Sequence, residues 1–280
     1  MTNHSVNVAP SRRLQERFWP MRFIGWFGKR IITSLRDYLA LIGELMLTFL
    51  MGLRPRIWRR TLRSEFQLYC FQVGVRALPA VVIMAILIGI GSVVQGLYWL
   101  ELIGQQSLVG EILDLLLVRE IAPTLVALII IGRSGTVMMD EIGHMRAGGQ
   151  INMLSAHGID PRQFILIPRS FAVAVSLFVL TILFLPIAFG AGFLVASALG
   201  VTNLSVLDFA DEVLSSLDWH DYALIPIKTL ITGYVVGYIS CIMGLHAAPT
   251  MLGVRQQLPK TFVISLIATL VIGGLTSVIL

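Results

Sequence analysis

Long apolar runs with almost no charge set the strongest limit on how this chain can fold. A helix needs about 20 mostly apolar residues to cross a bilayer, and four runs qualify clearly: residues 77–100, 170–199, 223–245 and 261–280. Residues 108–132 form a less clean fifth run, counted as a span because its neighbours would otherwise lie on inconsistent sides. The sequence predicts an all-α integral membrane protein with five transmembrane helices.

Composition supports this class and excludes several functions. The chain has 56% hydrophobic and 13% charged residues with a mean hydropathy of +0.83, far from an ordinary soluble domain. Its two cysteines, Cys70 and Cys241, lie far apart, and its histidines are scattered. We therefore predict no metal site, no disulfide, no cofactor and no nucleic-acid partner.

Lysine and arginine are distributed unevenly among the connections. Of the 21, 13 precede residue 77, four lie in residues 133–169, and two lie near residues 255–260. By the positive-inside rule these three regions are cytoplasmic, and the C-terminus is periplasmic. The acidic connection over residues 200–222 then faces outward, either to meet a partner there or as a solvated link.

The region before the spans divides into two predicted parts. Residues 1–30 form a basic cytoplasmic segment without an evident signal peptide. Residues 31–53 place apolar side chains at three- and four-residue steps, which predicts an amphipathic helix in the inner-leaflet interface, with a basic connection to residue 64. The alternative, a sixth span, is disfavoured by Arg36, Asp37 and Glu44.

A charged, glycine-punctuated segment over residues 133–162 interrupts the apolar runs. Hydrocarbon cannot satisfy its charges, so it must lie in water and meet a soluble partner. Its motifs and their flanks follow a fixed order: RE-x-x-P from Arg119, GRSG from Gly132, E-x-G-x-M from Glu141, a Gln, G-x-D-P from Gly158, and PR at Arg169. This order resembles the MlaE (YrbE) family, and residues 65–280 are predicted to form its permease domain.

The resemblance implies an inner-membrane permease subunit of an ABC-type lipid transporter. The resemblance also implies that two copies of the subunit form a homodimer. This homodimer would move phospholipid between the inner membrane and the outer membrane or cell envelope. Cytoplasmic ABC ATPase subunits, a periplasmic MCE-domain protein and a small accessory cytoplasmic subunit are the implied partners. The chain has no P-loop and no nominated nucleophile, so it is not predicted to be an enzyme. The alternative is a non-transporting scaffold that docks a regulatory partner.

The segment over residues 133–162 is the predicted coupling segment. A short helix over residues 137–157 is expected to lie across the membrane surface, where Glu141 pairs with an arginine of the ATPase. The alternative is pairing with Arg133 or Arg146 inside the loop. Where family members usually carry a glutamate, this chain has Gly148 and Gly149, which predicts a bent or shortened helix. The candidate coupling residues are Glu141, Gly143, Met145, Arg146, Gln150 and Asp160.

Polar residues inside the predicted spans are the candidate lipid path. They are Gln95, Arg119, Glu120 and Lys228. Ionisable groups are costly in hydrocarbon, so they are expected to face a cavity, water or an opposite charge. Arg119 suits a lipid phosphate, and Glu120 is expected to pair with Lys228. A purely structural polar contact between helices is the alternative. Gly89, Gly96, Gly273 and Gly274 are read as helix-packing residues.

Overall fold

Every regular element in the part of the chain that the structure describes is helical. This computed structural model describes residues 41–103, 114–200, 205–216 and 219–279. The chain divides into two compact units, residues 1–47 and residues 48–280. A helix occupies Leu41–Gly52, which matches the end of the predicted amphipathic helix. Residues 31–40 of that prediction lie outside the described residues.

Among the described residues, five helices are long and apolar enough to cross a membrane, as the sequence predicts. These five spans are Arg60–Trp99, Leu116–Ala147, Arg162–Ala198, Tyr222–His246 and Met251–Ser277. Besides Leu41–Gly52, two shorter α-helices of the described residues lie outside them: Gln150–Ala156, here called the loop helix, and Val206–Ser216, here called the outer helix. The predicted fold class is confirmed.

Several helices extend well beyond the apolar runs that predicted them. The first span begins at Arg60, ahead of the apolar run at Ala77, because a π-helical turn over Phe71–Val75 joins helix Arg60–Cys70 to helix Arg76–Ile103. Residues 251–260, expected as a turn, instead begin the helix Met251–Ile279 with Pro259 inside it. Hydropathy locates the membrane-spanning stretch of a helix, but it does not locate the residues at which the helix begins and ends.

The remaining helical segments are a short turn before the first span and the pieces that make up the second, third and fourth spans. In chain order they are a 3₁₀ turn Pro55–Ile57, the second-span segments Asp114–Ile121, Ala122–Ile130, Ile131–Gly135 and Thr136–Ala147, the third-span segments Arg162–Leu166 and Ile167–Ala198, and the fourth-span helix Trp219–His246. The segments Asp114–Ile121, Ile131–Gly135 and Arg162–Leu166 are π-helical.

The third span packs against both the first and the fourth through glycine. A Cβ on Gly89 of the first span would lie 2.6 Å from the Ala188 carbonyl carbon of the third. A Cβ on Gly233 of the fourth span would lie 2.7 Å from the Ala174 Cα. Small residues allow membrane helices to approach this closely, so the expected packing role of Gly89 is confirmed.

The two ends of the bundle carry different small clusters. At one end, Phe209 and Val213 of the outer helix are buried with Val93, Leu97 and Phe193, while Asp208 and Asp211 remain exposed. The acidic connection is therefore more than a solvated link, because its helix packs onto the first and third spans. At the other end, Met139, Ala247 and Val254 pack together. The predicted coupling segment lies at this second end.

Candidate functional site

The GRSG motif is built into the second span rather than into a surface loop. Ile131–Gly135 forms a π-helical turn that runs directly into helix Thr136–Ala147. The expectation of a separate helix over residues 137–157 is therefore wrong in extent. No proline interrupts residues 124–147, and a π turn accommodates Gly132 and Gly135 without ending the helix.

The break comes at the paired glycines, as predicted. Gly149 has a left-handed φ of 74°, whereas Gly148 has a φ of −79°. The loop helix follows, and none of its residues is buried. Gly158 also has a φ of 74°, and the Asp160 carboxylate accepts a 2.9 Å hydrogen bond from the Arg162 backbone N–H. Within the predicted coupling segment, only the loop helix is thus separate from the spans and free of buried residues.

Gly148 and Gly149 are predicted to differ in how well they tolerate alanine. Gly149→Ala forces a Cβ into the left-handed region, which costs about 1–2 kcal/mol, although a Cβ there has open space. Gly148→Ala is the matched control, because its φ suits alanine and its Cβ would lie 3.4 Å from the His144 carbonyl oxygen. Thermal unfolding of the two purified variants in detergent measures the difference. A Gly149→Ala variant as stable as Gly148→Ala would contradict the assigned backbone.

Side chains from three spans meet at Glu141. The Tyr69 hydroxyl donates a 2.9 Å hydrogen bond to Glu141 Oε1. Arg169 Nη1 lies 3.6 Å from Glu141 Oε2, and the Arg169 guanidinium carbon lies 4.2 Å from the centre of the Tyr69 ring. Cation–π stacking and an ion pair therefore act on the same guanidinium. We call Tyr69, Glu141 and Arg169 the carboxylate cluster.

The cluster is asymmetric in its exposure to solvent. The Arg169 side chain is 5% exposed and the Glu141 side chain is 44% exposed. Among the described residues, neither Arg133 nor Arg146 pairs with Glu141. The alternative of pairing within the loop is therefore wrong, and the arginine that pairs with Glu141 is Arg169. The buried guanidinium needs the carboxylate, while the carboxylate keeps a solvent-facing side for a further partner.

The other candidate coupling residues divide between surface and interior. Met145 lies beside Arg169, with its Sδ 3.9 Å from Nη2. Gln150 lines a cavity of about 620 Å³ that also borders Tyr69 and Glu141. Gly143 instead faces the interior, because a Cβ there would lie 2.6 Å from the Val254 Cγ1 atom of the fifth span. Arg146 is partly exposed.

A second polar cluster lies inside the spans, nearer the end that carries the outer helix. Lys228 Nζ donates to Glu120 Oε1 and to the Arg119 carbonyl oxygen, each at 2.7 Å. The Ser277 hydroxyl also contacts Glu120 Oε1. The Lys228 side chain is 7% exposed and that of Glu120 is 38% exposed. The Glu120–Lys228 pair expected from the sequence is therefore present, and it ties the second, fourth and fifth spans together.

An apolar cavity of about 830 Å³ lies in the same half of the bundle. Val118 of the second span lines it, next in sequence to Arg119, and Ile225 and Pro226 line it from the helix that carries Lys228. Aromatic side chains form much of the remaining wall: Phe178, Phe189, Phe193, Phe209 and Tyr222. A cavity of this kind fits hydrocarbon better than a polar solute.

The predicted site residues and the residues found in the two polar clusters do not fully coincide. Gln95 is exposed on the first span and does not join the Glu120–Lys228 pair. Tyr69 and Ser277 were not anticipated, since a single hydroxyl beside an apolar run gives no pattern. Arg169 was noticed only as part of a PR motif. Among the described residues, no group of three His, Cys, Asp or Glu side chains could hold a metal ion.

Comparison with known proteins gives one consistent result. The protein family described as Permease MlaE matches residues 66–279. The chain is 31% identical to the intermembrane phospholipid transport system permease protein MlaE of Haemophilus influenzae, over 91% of this chain and 95% of that protein. It is 29% identical to a probable ABC transporter permease of Synechocystis, over 87% of each chain. It is 24% identical to the chloroplastic protein TRIGALACTOSYLDIACYLGLYCEROL 1 of Arabidopsis thaliana, over 93% of this chain and 71% of that protein.

Proposed function

The chain belongs to the MlaE permease family, and on that basis we propose that it is the membrane subunit of an ABC-type phospholipid transporter. It moves lipid between the inner membrane and the outer membrane or cell envelope. ATP is hydrolysed by a separate cytoplasmic subunit, since this sequence carries no P-loop. The protein resides in the bacterial inner membrane, with its N-terminus cytoplasmic and its C-terminus periplasmic.

One observation carries the proposal: a single helix bears both polar clusters. The second span, Leu116–Ala147, includes Glu120 of the intramembrane pair and Glu141 of the carboxylate cluster. At 1.5 Å per residue these two carboxylates are about 30 Å apart along the helix. A continuous helix of that length is a direct mechanical link between a cytoplasmic motor and a cavity in the membrane.

The cytoplasmic end supplies the motor contact. No residue of the loop helix is buried, and Met153 is 66% exposed. We assign the docking surface to this helix together with the exposed side of Glu141, which accepts an arginine from the ATPase. Gln150 and Arg146 flank this surface, Met145 supports it from behind, and Asp160 fixes the turn into the third span. Gly143 acts through its packing on the fifth span.

The opposite half supplies the lipid path. The apolar cavity takes acyl chains, and the polar cluster at Arg119, Glu120 and Lys228 lies beside its wall. Arg119 serves the lipid phosphate, because a guanidinium offers paired donors to phosphate oxygens. Gln95 is exposed on the first span, and we assign it to the surface that faces a second copy of the chain.

The proposed assembly is a homodimer with further subunits at both membrane faces. Support for the dimer comes from the fifth span, where 22% of the apolar stretch is buried compared with 61% in the fourth. Gly274 on that span has open space beside it, which leaves room for a neighbouring helix. The exposed acidic side of the outer helix is assigned to the periplasmic MCE-domain protein, and a small accessory subunit is assigned to the cytoplasmic side.

A loop-helix substitution tests the motor assignment. Met153→Arg is expected to lower ATPase co-purification or lipid-stimulated hydrolysis at least tenfold, since it puts a charge at the centre of the docking surface. Leu207→Arg is the matched control: this outer-helix side chain is 79% exposed and lies at the opposite end. Equal ATPase content and turnover in both variants would show that the loop helix does not bind the ATPase. If no ATPase accompanies the chain at all, the scaffold function replaces the transporter function.

A further inference from the structure

The Glu141 carboxylate is held by two side chains that come from different spans. Tyr69 belongs to the first span, Arg169 to the third and Glu141 to the second. The bond between Tyr69 and Glu141 joins residues 72 positions apart in sequence. Three of the five membrane helices thus converge on one acidic group at the end of the bundle assigned to the motor.

Arg169 is buried without complete hydrogen bonding. Its Nη1 atom has no hydrogen-bond partner among the described residues, and it lies 3.6 Å from Glu141 Oε2. A charge-assisted hydrogen bond between nitrogen and carboxylate oxygen is about 2.7–2.9 Å long. The Arg169–Glu141 ion pair is therefore present, but its N–O distance exceeds hydrogen-bond length by less than 1 Å. The Nη1 atom that would donate this hydrogen bond is buried.

Tyr69 supplies the contact that is already closed. Its ring, in a residue that is 3% exposed, stacks on the Arg169 guanidinium, and its hydroxyl bonds Glu141 Oε1. The two oxygens of Glu141 are thus divided, one bonded to Tyr69 and the other facing Arg169. This arrangement fixes the orientation of the carboxylate, and the Glu141 side chain as a whole remains 44% exposed.

We infer that Tyr69 and Arg169 are positioning residues that aim Glu141 at the ATPase and pass its displacement to the first and third spans. The inference rests on the proposed function, because it assumes that Glu141 meets the motor. When the ATPase presses on the Glu141 helix, the Arg169–Glu141 contact shortens into a hydrogen bond, and the three helices then move as one unit. Without the cluster, the second span alone would receive the motion.

Removal of one oxygen tests the inference. Tyr69→Phe keeps the ring stacked on Arg169 and deletes only the hydroxyl bonded to Glu141. In the complete complex, lipid-stimulated ATP turnover is expected to fall roughly tenfold, the scale of one hydrogen bond to a charged group. The KM for ATP should stay unchanged because the nucleotide site lies in another subunit. Tyr234→Phe is the matched control, since Tyr234 is also 3% exposed and forms no part of the cluster.

A double-mutant cycle separates positioning from general support of the fold. Tyr69→Phe added to Glu141→Gln is expected to cause no further loss of stimulated turnover, because the hydroxyl acts through that carboxylate. Additive losses, or a Tyr69→Phe complex that behaves like Tyr234→Phe, would overturn the inference. Should Glu141→Gln itself couple like the wild type, the proposed motor contact fails instead.

Arg169 provides an independent variant if Tyr69→Phe assembles poorly. Arg169→Lys keeps a cation within reach of Glu141, whereas Arg169→Met keeps only comparable bulk. Stimulated turnover per assembled complex is expected to be several-fold higher for Arg169→Lys than for Arg169→Met. Equal losses in the two variants would show that charge at this position has no part in coupling, which contradicts the inference.

Discussion

Glu141→Gln is expected to destabilise this protein more than Arg169→Met, although it is the smaller change of side chain. The glutamine variant leaves the guanidinium of Arg169, 5% exposed, buried without its countercharge. We expect it to lose roughly 2–4 kcal/mol of unfolding free energy, toward the lower end for a broken buried pair because Glu141 is half exposed. Arg169→Met leaves a carboxylate that water and Tyr69 can still satisfy, and it should cost about 1 kcal/mol.

Chemical or thermal unfolding of the purified permease in detergent measures this order. The double variant Glu141→Gln/Arg169→Met is expected to be more stable than Glu141→Gln alone, because it removes the stranded charge. A larger loss in Arg169→Met than in Glu141→Gln would contradict the burial asymmetry of the cluster. The order also matters for coupling experiments, since Glu141→Gln weakens the fold together with any motor contact.

Charge reversal in the intramembrane pair is expected to have the second large effect. Glu120→Lys sets two cations against each other where Glu120 and Lys228 now lie 2.7 Å apart, and Lys228→Glu does the same with two anions. Each single reversal should cost about 3 kcal/mol, the scale for breaking a buried ion pair and leaving a charge uncompensated. Folded permease recovered from membranes should fall sharply in both variants.

The exchanged pair, Glu120→Lys/Lys228→Glu, is expected to recover part of this loss. It restores opposite charges, but a carboxylate at position 228 cannot donate to the Arg119 carbonyl oxygen as Lys228 does. Its stability should therefore lie between the single variants and the wild type, as measured by yield and by thermal unfolding. An exchanged pair no better than either single variant would mean that the 2.7 Å contact does not stabilise the bundle.

The sequence predicted the spans and one of the two clusters for identifiable reasons. Four apolar runs are long and uninterrupted, and the fifth was counted because its neighbours needed it. Besides Arg119, Lys228 was the only cation inside a predicted span, which made it the expected partner of Glu120. The helix ends were less predictable, because continuation through Gly132 and Gly135 depends on π-helical pairing that composition does not reveal. The break at Gly148 and Gly149 was predicted, yet only the backbone shows that Gly149 takes the positive φ.

The carboxylate cluster was largely beyond the sequence. Glu141 stood out as a charge in a motif, but its partners lie 72 residues before it and 28 residues after it on other helices. Tyr69 sits just ahead of the first apolar run and resembles an ordinary interface aromatic. Arg169 was counted among the loop cations, and its burial follows from the third span beginning at Arg162, earlier than hydropathy indicated.

ATP-dependent phospholipid movement by the complete complex in sealed vesicles tests the central claim most directly. The wild-type complex with its ATPase is expected to move a labelled phospholipid only when ATP is present. Met153→Arg should lose that movement while still retaining bound lipid, because its lesion lies at the motor surface and not at the cavity. Lipid movement that is indifferent to ATP, or a complex without any ATPase, would contradict the account.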